Sequence, residues 1–579
     1  MNSKINELWD DVNNIPLVLK NSARNFPSLP ALTSEQEVDY NYEELELAAR
    51  RIAVMLKSAG IGKGDKVAIL SENSPHWVIT FFGILATGAT TVPILPDFQG
   101  PEVLTILEHS EAKSLFVSGK LLSRLTAGLP SGLEIVYNCD DFQQLDVKKG
   151  ELTMTAGTPG DLKKLVVDST SLGKGDSLYQ AEEKDLASII YTSGTTGRSK
   201  GVMLTHQNIL SNAKSSWTVH AVIESDRFLS MLPLAHSYEC TIGMMVPLLN
   251  GARIHYIDKA PTPSVLKPVL QKIRPTTMLT VPLIIEKIYR ASVRPALTKS
   301  PLMRLLMKAG FTRRLLSKAA ARKLMKFFGD QLRFFGVGGA PLAPDVEKFL
   351  IEGKFPYAIG YGLTETSPMI SGFGPADAVH RSVGTVMQGI TIKIENPDPV
   401  TQEGEIVVSG PNVMQGYYKD KEKTAEVFTP DGFFRTGDLG YRDNKGILYI
   451  RGRSKNMILG ANGENIYPEE IEAVLNAREI VSESLVMEYK GKLVARVHLK
   501  LEEMEKLEER FIHLKENAAE FQKQLQAKAD EMLSELMINV NQHVSRNSKL
   551  QKIILQEQPF EKTPTLKIKR FLYNKIVPA

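Results

Sequence analysis

Cysteine is scarce: Cys139 and Cys240 are the only two in 579 residues. Two thiols cannot build a disulfide framework or a four-cysteine zinc site, which points to a reducing compartment. Excess charge of one sign is also missing, since 70 Lys and Arg face 66 Asp and Glu. That balance gives no reason to expect a nucleic-acid partner. The N-terminus lacks an apolar core of signal-peptide length, with Lys4, Glu7, Asp10 and Asp11 interspersed. One uncharged stretch, Trp77 to Leu95, approaches spanning length, but threonines, Gly83, Gly88 and Pro93 interrupt it. A buried helix running into a strand is expected there rather than a membrane span. Internal repeats and low-complexity tracts are absent. These absences predict a soluble, cytoplasmic, multi-domain protein.

Several short apolar runs alternate with helical patterns. Residues 43–59 have helical spacing, and Val67–Leu70, Leu115–Val117, Ser188–Tyr191, Phe228–Met231, Ala252–Tyr256, Thr277–Thr280 and Leu332–Val337 read as buried strands. That alternation predicts an α/β fold with largely parallel sheets. After about residue 380 the texture becomes β-rich, with strands at Thr391–Glu395 and Glu405–Ser409. From Tyr441 a hairpin, a helix at Pro468–Asn476 and a second hairpin across Lys490-Gly491-Lys492 read as a small α+β domain.

Glycines, hydroxyls and a lysine crowd the segment Thr192-Ser193-Gly194-Thr195-Thr196-Gly197-Arg198-Ser199-Lys200-Gly201. Glycines let a backbone fold tightly around an anion and aim N–H groups at it, and a lysine adds a mobile positive charge. The segment fails the Walker pattern, which disfavours an ordinary P-loop NTPase. The bland alternative is a polar surface turn.

The run from Tyr191 to His206 resembles the signature of the adenylate-forming superfamily, which includes acyl-CoA synthetases, luciferases and peptide-synthetase adenylation domains. The resemblance continues through Gly338-Gly339-Ala340-Pro341-Leu342, Gly360-Tyr361-Gly362-Leu363-Thr364-Glu365-Thr366, Arg435-Thr436-Gly437-Asp438 and Arg451-Gly452-Arg453-Ser454-Lys455. It ends at Thr563-Pro564-Thr565-Leu566-Lys567-Ile568-Lys569-Arg570. The ordered set implies a large N-terminal adenylation domain over 1–452, with a β-rich subdomain at about 380–440. It also implies a mobile α+β C-terminal domain over 453–579.

By this resemblance the 192–200 loop holds the β- and γ-phosphates of ATP. Tyr361 stacks on adenine, Gly338, Gly339 and Ala340 lie along the base's edge, and Asp438 accepts the ribose hydroxyls with Arg453 nearby. Thr364 bonds the α-phosphate and Glu365 ligates Mg²⁺, a hard cation suited to carboxylate and phosphate oxygens. Lys567 bridges the substrate carboxylate and the α-phosphate, and Lys455 is the hinge about which the C-terminal domain turns between two half-reactions. The loop from Gly460 to Asn465 then enters and shapes the thiol channel. Without the resemblance, Glu365 and Asp438 are ordinary solvated carboxylates, and Lys567 belongs to a basic C-terminal face.

The run Leu232-Pro233-Leu234-Ala235-His236-Ser237-Tyr238-Glu239-Cys240 resembles the long-chain fatty acyl-CoA synthetase branch, with Cys240 where Arg is usual. The resemblance puts His236 and Cys240 against an acyl pocket. Leu566, where most of the superfamily has Gly, fits the same branch. The implied partners are a fatty acid, ATP and coenzyme A. A fatty acyl-AMP ligase serving an acyl carrier protein is one alternative, and an inactive membrane or protein scaffold is another.

Two regions fall outside these motifs. Residues 285–333 hold 13 Lys and Arg against Glu286 and Asp330, a net of +11 that leaves −7 for the rest of the chain. Leucines at helical spacing interleave with the basic residues from Leu302 to Phe328. The pattern suits a basic helix pair lying peripherally on the anionic inner face of a membrane, or a core-packed pair with a solvated face. Residues 501–537 read as a helical insertion with a narrow seam. It serves either a homo-oligomer or packing on its own domain, and the weak seam favours the second.

Overall fold

The structure, a computed structural model, describes residues 9, 11–34, 40–125, 128–148, 151–154, 178, 180–193, 199–257, 259, 262–460, 465–500, 518–563 and 567–573. Strands Arg253–Tyr256, Arg227–Ser230, Thr277–Thr280, Phe334–Val337 and Tyr357–Gly362 lie side by side in parallel in one nine-stranded sheet. A second nine-stranded sheet is built on Thr90–Ile94, Lys66–Leu70, Ser114–Val117 and Ile135–Asn138, also parallel. Both are mixed at their edges. Thr277–Thr280, Phe334–Val337 and Ser114–Val117 are buried along their whole length. Burial on both faces is why they appear in the sequence as unbroken apolar runs rather than alternating ones.

Pro75–Ala86 is a helix buried at every position, and it runs into the strand Thr90–Ile94 through a turn in which Gly88 takes φ +85°. Among the described residues no helix is long and apolar enough to cross a membrane. Its neighbour, helix Tyr42–Ser58, starts at Asn41, whose side chain accepts from the Glu44 N–H while Glu44 accepts from the Asn41 N–H. This reciprocal cap satisfies two N–H groups that the helix cannot.

A four-stranded antiparallel sheet follows, ordered Thr391–Glu395, Gly404–Ser409, Phe434–Arg442, Leu448–Arg453. It reaches past residue 440, because Leu448–Arg453 pairs with Phe434–Arg442. The C-terminal portion carries the helix Pro468–Asn476 and a hairpin of Val481–Tyr489 with Lys492–Leu499. Lys490 and Gly491 close the hairpin with φ of 50° and 74°, the paired positive values of a two-residue turn that matches strand twist.

The expected insertion has a different nature. The helix Ala518–Asn541 joins Lys492–Leu499 to Lys552–Leu555, and those two strands are parallel neighbours. Parallel strands cannot be joined by a tight turn, so a crossover is obligatory, and this helix belongs to it. Ala529, Leu533, Leu536 and Val540 are buried, and the last three pack into the C-terminal core. Residues 501–517 lie outside the described ones.

Gly83 marks the tightest helix contact. A Cβ there would stand 2.6 Å from Ile52 Cβ and 2.9 Å from the Ala49 carbonyl oxygen. Gly83→Ala is therefore expected to cost about 1–3 kcal/mol by overpacking. Urea unfolding checks this as a lower midpoint at unchanged slope.

Candidate functional site

The sheet subdomain, the large parallel sheet and the segment around Lys567 converge on one cleft. Asp438 and Arg453 are direct cross-strand partners in the register of Phe434–Arg442 with Leu448–Arg453. That register sets Arg453 Nε 2.8 Å from Asp438 Oδ1. Tyr361, near the end of the strand Tyr357–Gly362, donates its hydroxyl to Asp438 Oδ2 at 2.7 Å. Asp438 is thus held by a cation on one oxygen and a phenol on the other. Burial pushes its carboxyl up, against the downward pull of Arg453 and the Tyr361 hydrogen bond.

Thr364 opens the short helical turn Thr364–Thr366 just beyond Tyr361. Neighbours fix this turn firmly. Met414 N–H donates to the Glu365 carbonyl at 2.9 Å, and Asn412 Nδ2 donates to the Thr366 carbonyl at 2.8 Å. Glu365 Oε1 accepts from the Tyr417 hydroxyl at 2.9 Å. Lys200 Nζ lies 5.1 Å from the centre of the same Tyr417 ring, so one tyrosine organises both an acid and a base. Tyr417 can do so because it pairs with Val202 on the strand carrying Lys200.

Lys200 sits in the strand Ser199–Thr205, antiparallel to Leu186–Ser193, with Thr192 directly opposite Lys200. Gly194, Thr195, Thr196 and Gly197 lie outside the described residues, as does the Ser193 side chain; the hairpin that presents them is described. Burial lowers the Lys200 pKa, and Lys423 and Lys455 lower it further. Lys455, in the short turn Ser454–Asn456, is thus within electrostatic reach of Lys200. Residues 461–464 of the expected incoming loop lie outside the described residues.

Gly338, Gly339 and Ala340 follow the carboxyl end of the parallel strand Phe334–Val337, where open α/β sheets place their ligands. Gly338 is required by space: a Cβ would lie 3.1 Å from the Tyr238 ring. Gly339 is required by conformation, with φ +85°.

Lys567 faces this cleft from the C-terminal portion. Its side chain keeps contact with solvent, as in an open cleft, while the protein around it removes enough water to lower its pKa. Arg453 lowers it further, and Asp438 and Glu365 act the other way. The segment is clamped at both ends. Thr563 N–H donates to the Lys567 carbonyl at 2.8 Å and Lys567 N–H donates to Thr563 Oγ1 at 3.2 Å. Arg570 is ion-paired with buried Glu472 and donates to the Val486 carbonyl at 3.2 Å. The domain is held in turn by Arg290 and Arg294, which donate to the Ala477 carbonyl at the end of helix Pro468–Asn476.

His236 is also within electrostatic reach of Lys567; burial drops its pKa to about 4, so it is neutral at pH 7. His236 and Cys240 are not in the wall of the apolar cavity beside the cleft. Tyr238, Ile242, Val246, Leu279, Phe334 and Ile359 form much of that wall, with Gly336 and Gly360 among the rest. Cys240 is buried in the main core within the π-helix Glu239–Met245. All seven residues of this π-helix are buried, so residue spacing alone could not separate cavity wall from core. Three further residues escaped sequence reasoning. Besides Tyr417, these are His220, stacked on Phe334 in the cavity wall, and Glu239, buried with a carboxyl pushed up to about 8. Glu239 fits because residue 243 is glycine; a Cβ there would come within 2.6 Å of its carboxyl carbon.

Among the described residues no group of three ligating side chains could hold a metal alone. Glu365 with phosphate oxygens fits a Mg²⁺ ion, which binds proteins through one or two carboxylates plus substrate oxygens.

A cleft at the carboxyl end of a parallel sheet that gathers acids, lysines and a glycine turn has the make-up of a nucleotide-binding enzyme. The chain belongs to the AMP-binding enzyme family, which matches residues 19–418. Within the adenylate-forming enzymes it falls in the long-chain acyl-CoA synthetase branch. It is 30% identical to a long-chain-fatty-acid–CoA ligase of Mycobacterium bovis, over 76% of this chain and 73% of that protein. It is 29% identical to a propanoyl:CoA ligase of Rhodococcus jostii, named for a methyl-dioxo-octahydroindenyl acid, over 82% and 85% of the two chains. In fold it resembles O-succinylbenzoate coenzyme A synthetase from Bacillus subtilis in complex with AMP, with TM-score 0.70 and 23% identity over 97% and 99% of the chains.

Both Lys200 and Lys567 have lowered pKa values, and both must be protonated to hold phosphate. ATP affinity is therefore expected to weaken as pH rises, beginning below the ordinary lysine range. Lys200→Met should weaken it about ten- to a hundredfold, the range for a lost charged hydrogen bond. Calorimetry across pH checks both outcomes.

Proposed function

We propose that this AMP-forming acid–CoA ligase activates a long-chain fatty acid with ATP and transfers the acyl group to coenzyme A. The observation that carries the reading is that Lys567 stands within electrostatic reach of Asp438, Arg453 and Glu365, while an apolar cavity lies behind the glycines of the same sheet. Gly336 and Gly360 in the cavity wall stand next to Gly338 and Tyr361 in the nucleotide cleft. A carboxylate entering from the cavity meets the α-phosphate where these walls join.

In the first step the fatty acid's carboxylate oxygen attacks the α-phosphorus, and the bond to pyrophosphate breaks. Two anions must approach, so fixed positive charge supplies most of the catalysis. Lys567 screens the carboxylate from the α-phosphate, Thr364 donates to that phosphate, and Lys200 with the 192–200 loop holds the departing pyrophosphate. Asp438 receives the ribose hydroxyls, and Tyr361 flanks the base. Mg²⁺ held by Glu365 and the phosphates would neutralise part of their charge. In the second step the coenzyme A thiol attacks the acyl carbonyl and AMP leaves. Lys567 withdraws as the C-terminal domain turns about Lys455, and its flexible stem suits a charge that must be removed.

Lys567→Ala is expected to slow acyl-adenylate formation about a hundredfold or more, yet to spare thioester formation from supplied acyl-adenylate. Equal loss in both half-reactions would remove Lys567 from this role. The acceptor is tested by mass spectrometry of ATP, palmitate and coenzyme A. Palmitoyl-CoA is expected, and acyl-AMP accumulating without it would turn the reading to a carrier-protein ligase.

Apolar burial gives about 0.8 kcal/mol per CH₂, so kcat/KM should rise about fourfold per methylene until the cavity is filled. Gly336 limits that length, since a Cβ there would lie 2.8 Å from Phe334 and 2.9 Å from Leu279. Gly336→Val should move the optimum of pyrophosphate release to shorter acids. An unchanged profile would place the acyl chain elsewhere.

A further inference from the structure

The strongly basic segment divides into an anchored half and an exposed tip. In helix Gly310–Phe327 the later residues Ala321 and Leu324 are buried in a core cluster with Phe328. Arg290 and Arg294 are engaged with the C-terminal portion, and Arg313 is ion-paired with Glu352. The tip differs: helix Pro301–Lys308 has no buried residue at all. Leu302 and Leu305 are 65% and 64% exposed, and Phe311 and Leu315, just across the break at Ala309, are 76% and 52% exposed. Each pair stands three or four residues apart and so shares a helix face. Lys299, Lys308, Lys318, Arg322, Lys323 and Lys326 surround or flank them, and none is ion-paired among the described residues.

We infer that this tip, Pro301–Lys308 with the first turns of Gly310–Phe327, docks on the surface of an anionic lipid bilayer. Exposed leucines and a phenylalanine cost free energy in water, and they recover it by entering the acyl boundary. Unpaired lysines and arginines around them are drawn to acidic headgroups. A second copy of the chain is a poor occupant. A two-fold contact would set this patch against itself, placing like charges together. A purely polar polyanion would leave Phe311 and the leucines without a partner. The inference draws on the ligase reading only for its purpose, delivery of a lipid-soluble acid; the binding itself is independent of it.

The test is flotation of the full-length protein with phosphatidylcholine vesicles, with and without 30% phosphatidylglycerol (about the anionic fraction at which polybasic segments engage), at low and high salt. Binding is expected only with the anionic lipid and is expected to fall with salt. Lys299→Gln and Lys308→Gln should each weaken it about fivefold, and Phe311→Ser should weaken it tenfold or more. These positions are exposed, so ATP affinity in vesicle-free solution should be unchanged in every variant. Absence of binding to anionic vesicles would overturn the inference. So would binding that ignores Phe311→Ser while following charge, which would mark a general polyanion site. Sedimentation as a dimer that Phe311→Ser dissociates would assign the patch to self-association instead. No acyl substrate is used, so any of these failures leaves the ligase reading standing.

Discussion

Desolvation of closely held cations is the constraint on which the site depends. Burial lowers the Lys200 pKa, with Lys423 and Lys455 adding to it, and burial lowers that of Lys567, with Arg453 adding to it. Glu365 and Asp438 offset only part of this, and each is already engaged, by Tyr417 and by Arg453 with Tyr361. Holding several cations so close costs stability, and an anionic ligand relieves the cost. Triphosphate is the natural relief: it brings charge to each lysine at once. The geometry that strains the free protein is the geometry that makes it a nucleotide site, because preorganised charge spends nothing on rearrangement when substrate arrives.

The rest of the architecture positions these charges. A hairpin register brings Asp438 and Arg453 opposite each other, and an edge strand sets Tyr417 between Lys200 and Glu365. Lys567 is the exception, since it arrives on a separate unit near the end of the chain. Thr563 and Arg570 fix it within that unit, while Arg290, Arg294 and Arg451 tie the unit to the larger one. These interdomain ties are part-exposed hydrogen bonds and ion pairs, individually weak. Weak ties are compatible with the departure of Lys567 proposed for the second half-reaction.

Much of this was legible in the residues. Thr277–Thr280 and Pro468–Asn476 have the bounds their patterns suggested, because both ends carry strong local signals and the interiors are buried. The ordered motifs single out Lys200, Glu365, Asp438 and Lys567, and the structure brings Glu365 within electrostatic reach of both lysines and Asp438 within reach of Lys567. Tyr417 was not legible, because its role arises from pairing across more than two hundred residues. The helix Ala518–Asn541 was read as an insertion because a crossover and an insertion have the same amphipathic pattern; only the parallel pairing of its flanking strands distinguishes them. Cys240 is a departure from a motif, yet it is buried in the core with every other residue of its π-helix, so no helical period picks it out.

The apolar cavity shows how burial can keep polar residues uncharged. His220 is in its wall, and burial holds its pKa at about 4. Glu239, next to Tyr238 of that wall, is held at about 8. At pH 7 the imidazole is therefore unprotonated and the carboxyl is protonated, so neither group is charged. Ser230 donates to Glu239 at 2.6 Å, and the imidazole of His220 pairs with the Thr277 hydroxyl at 3.0 Å. These bonds satisfy one carboxyl oxygen of Glu239 and one imidazole nitrogen of His220, while Glu239 Oε2 is buried without a partner among the described residues. The same desolvation acts oppositely on the two sides of the junction. In the nucleotide cleft it sharpens charge that a phosphate can use, and in the cavity it removes charge that a methylene chain could not tolerate.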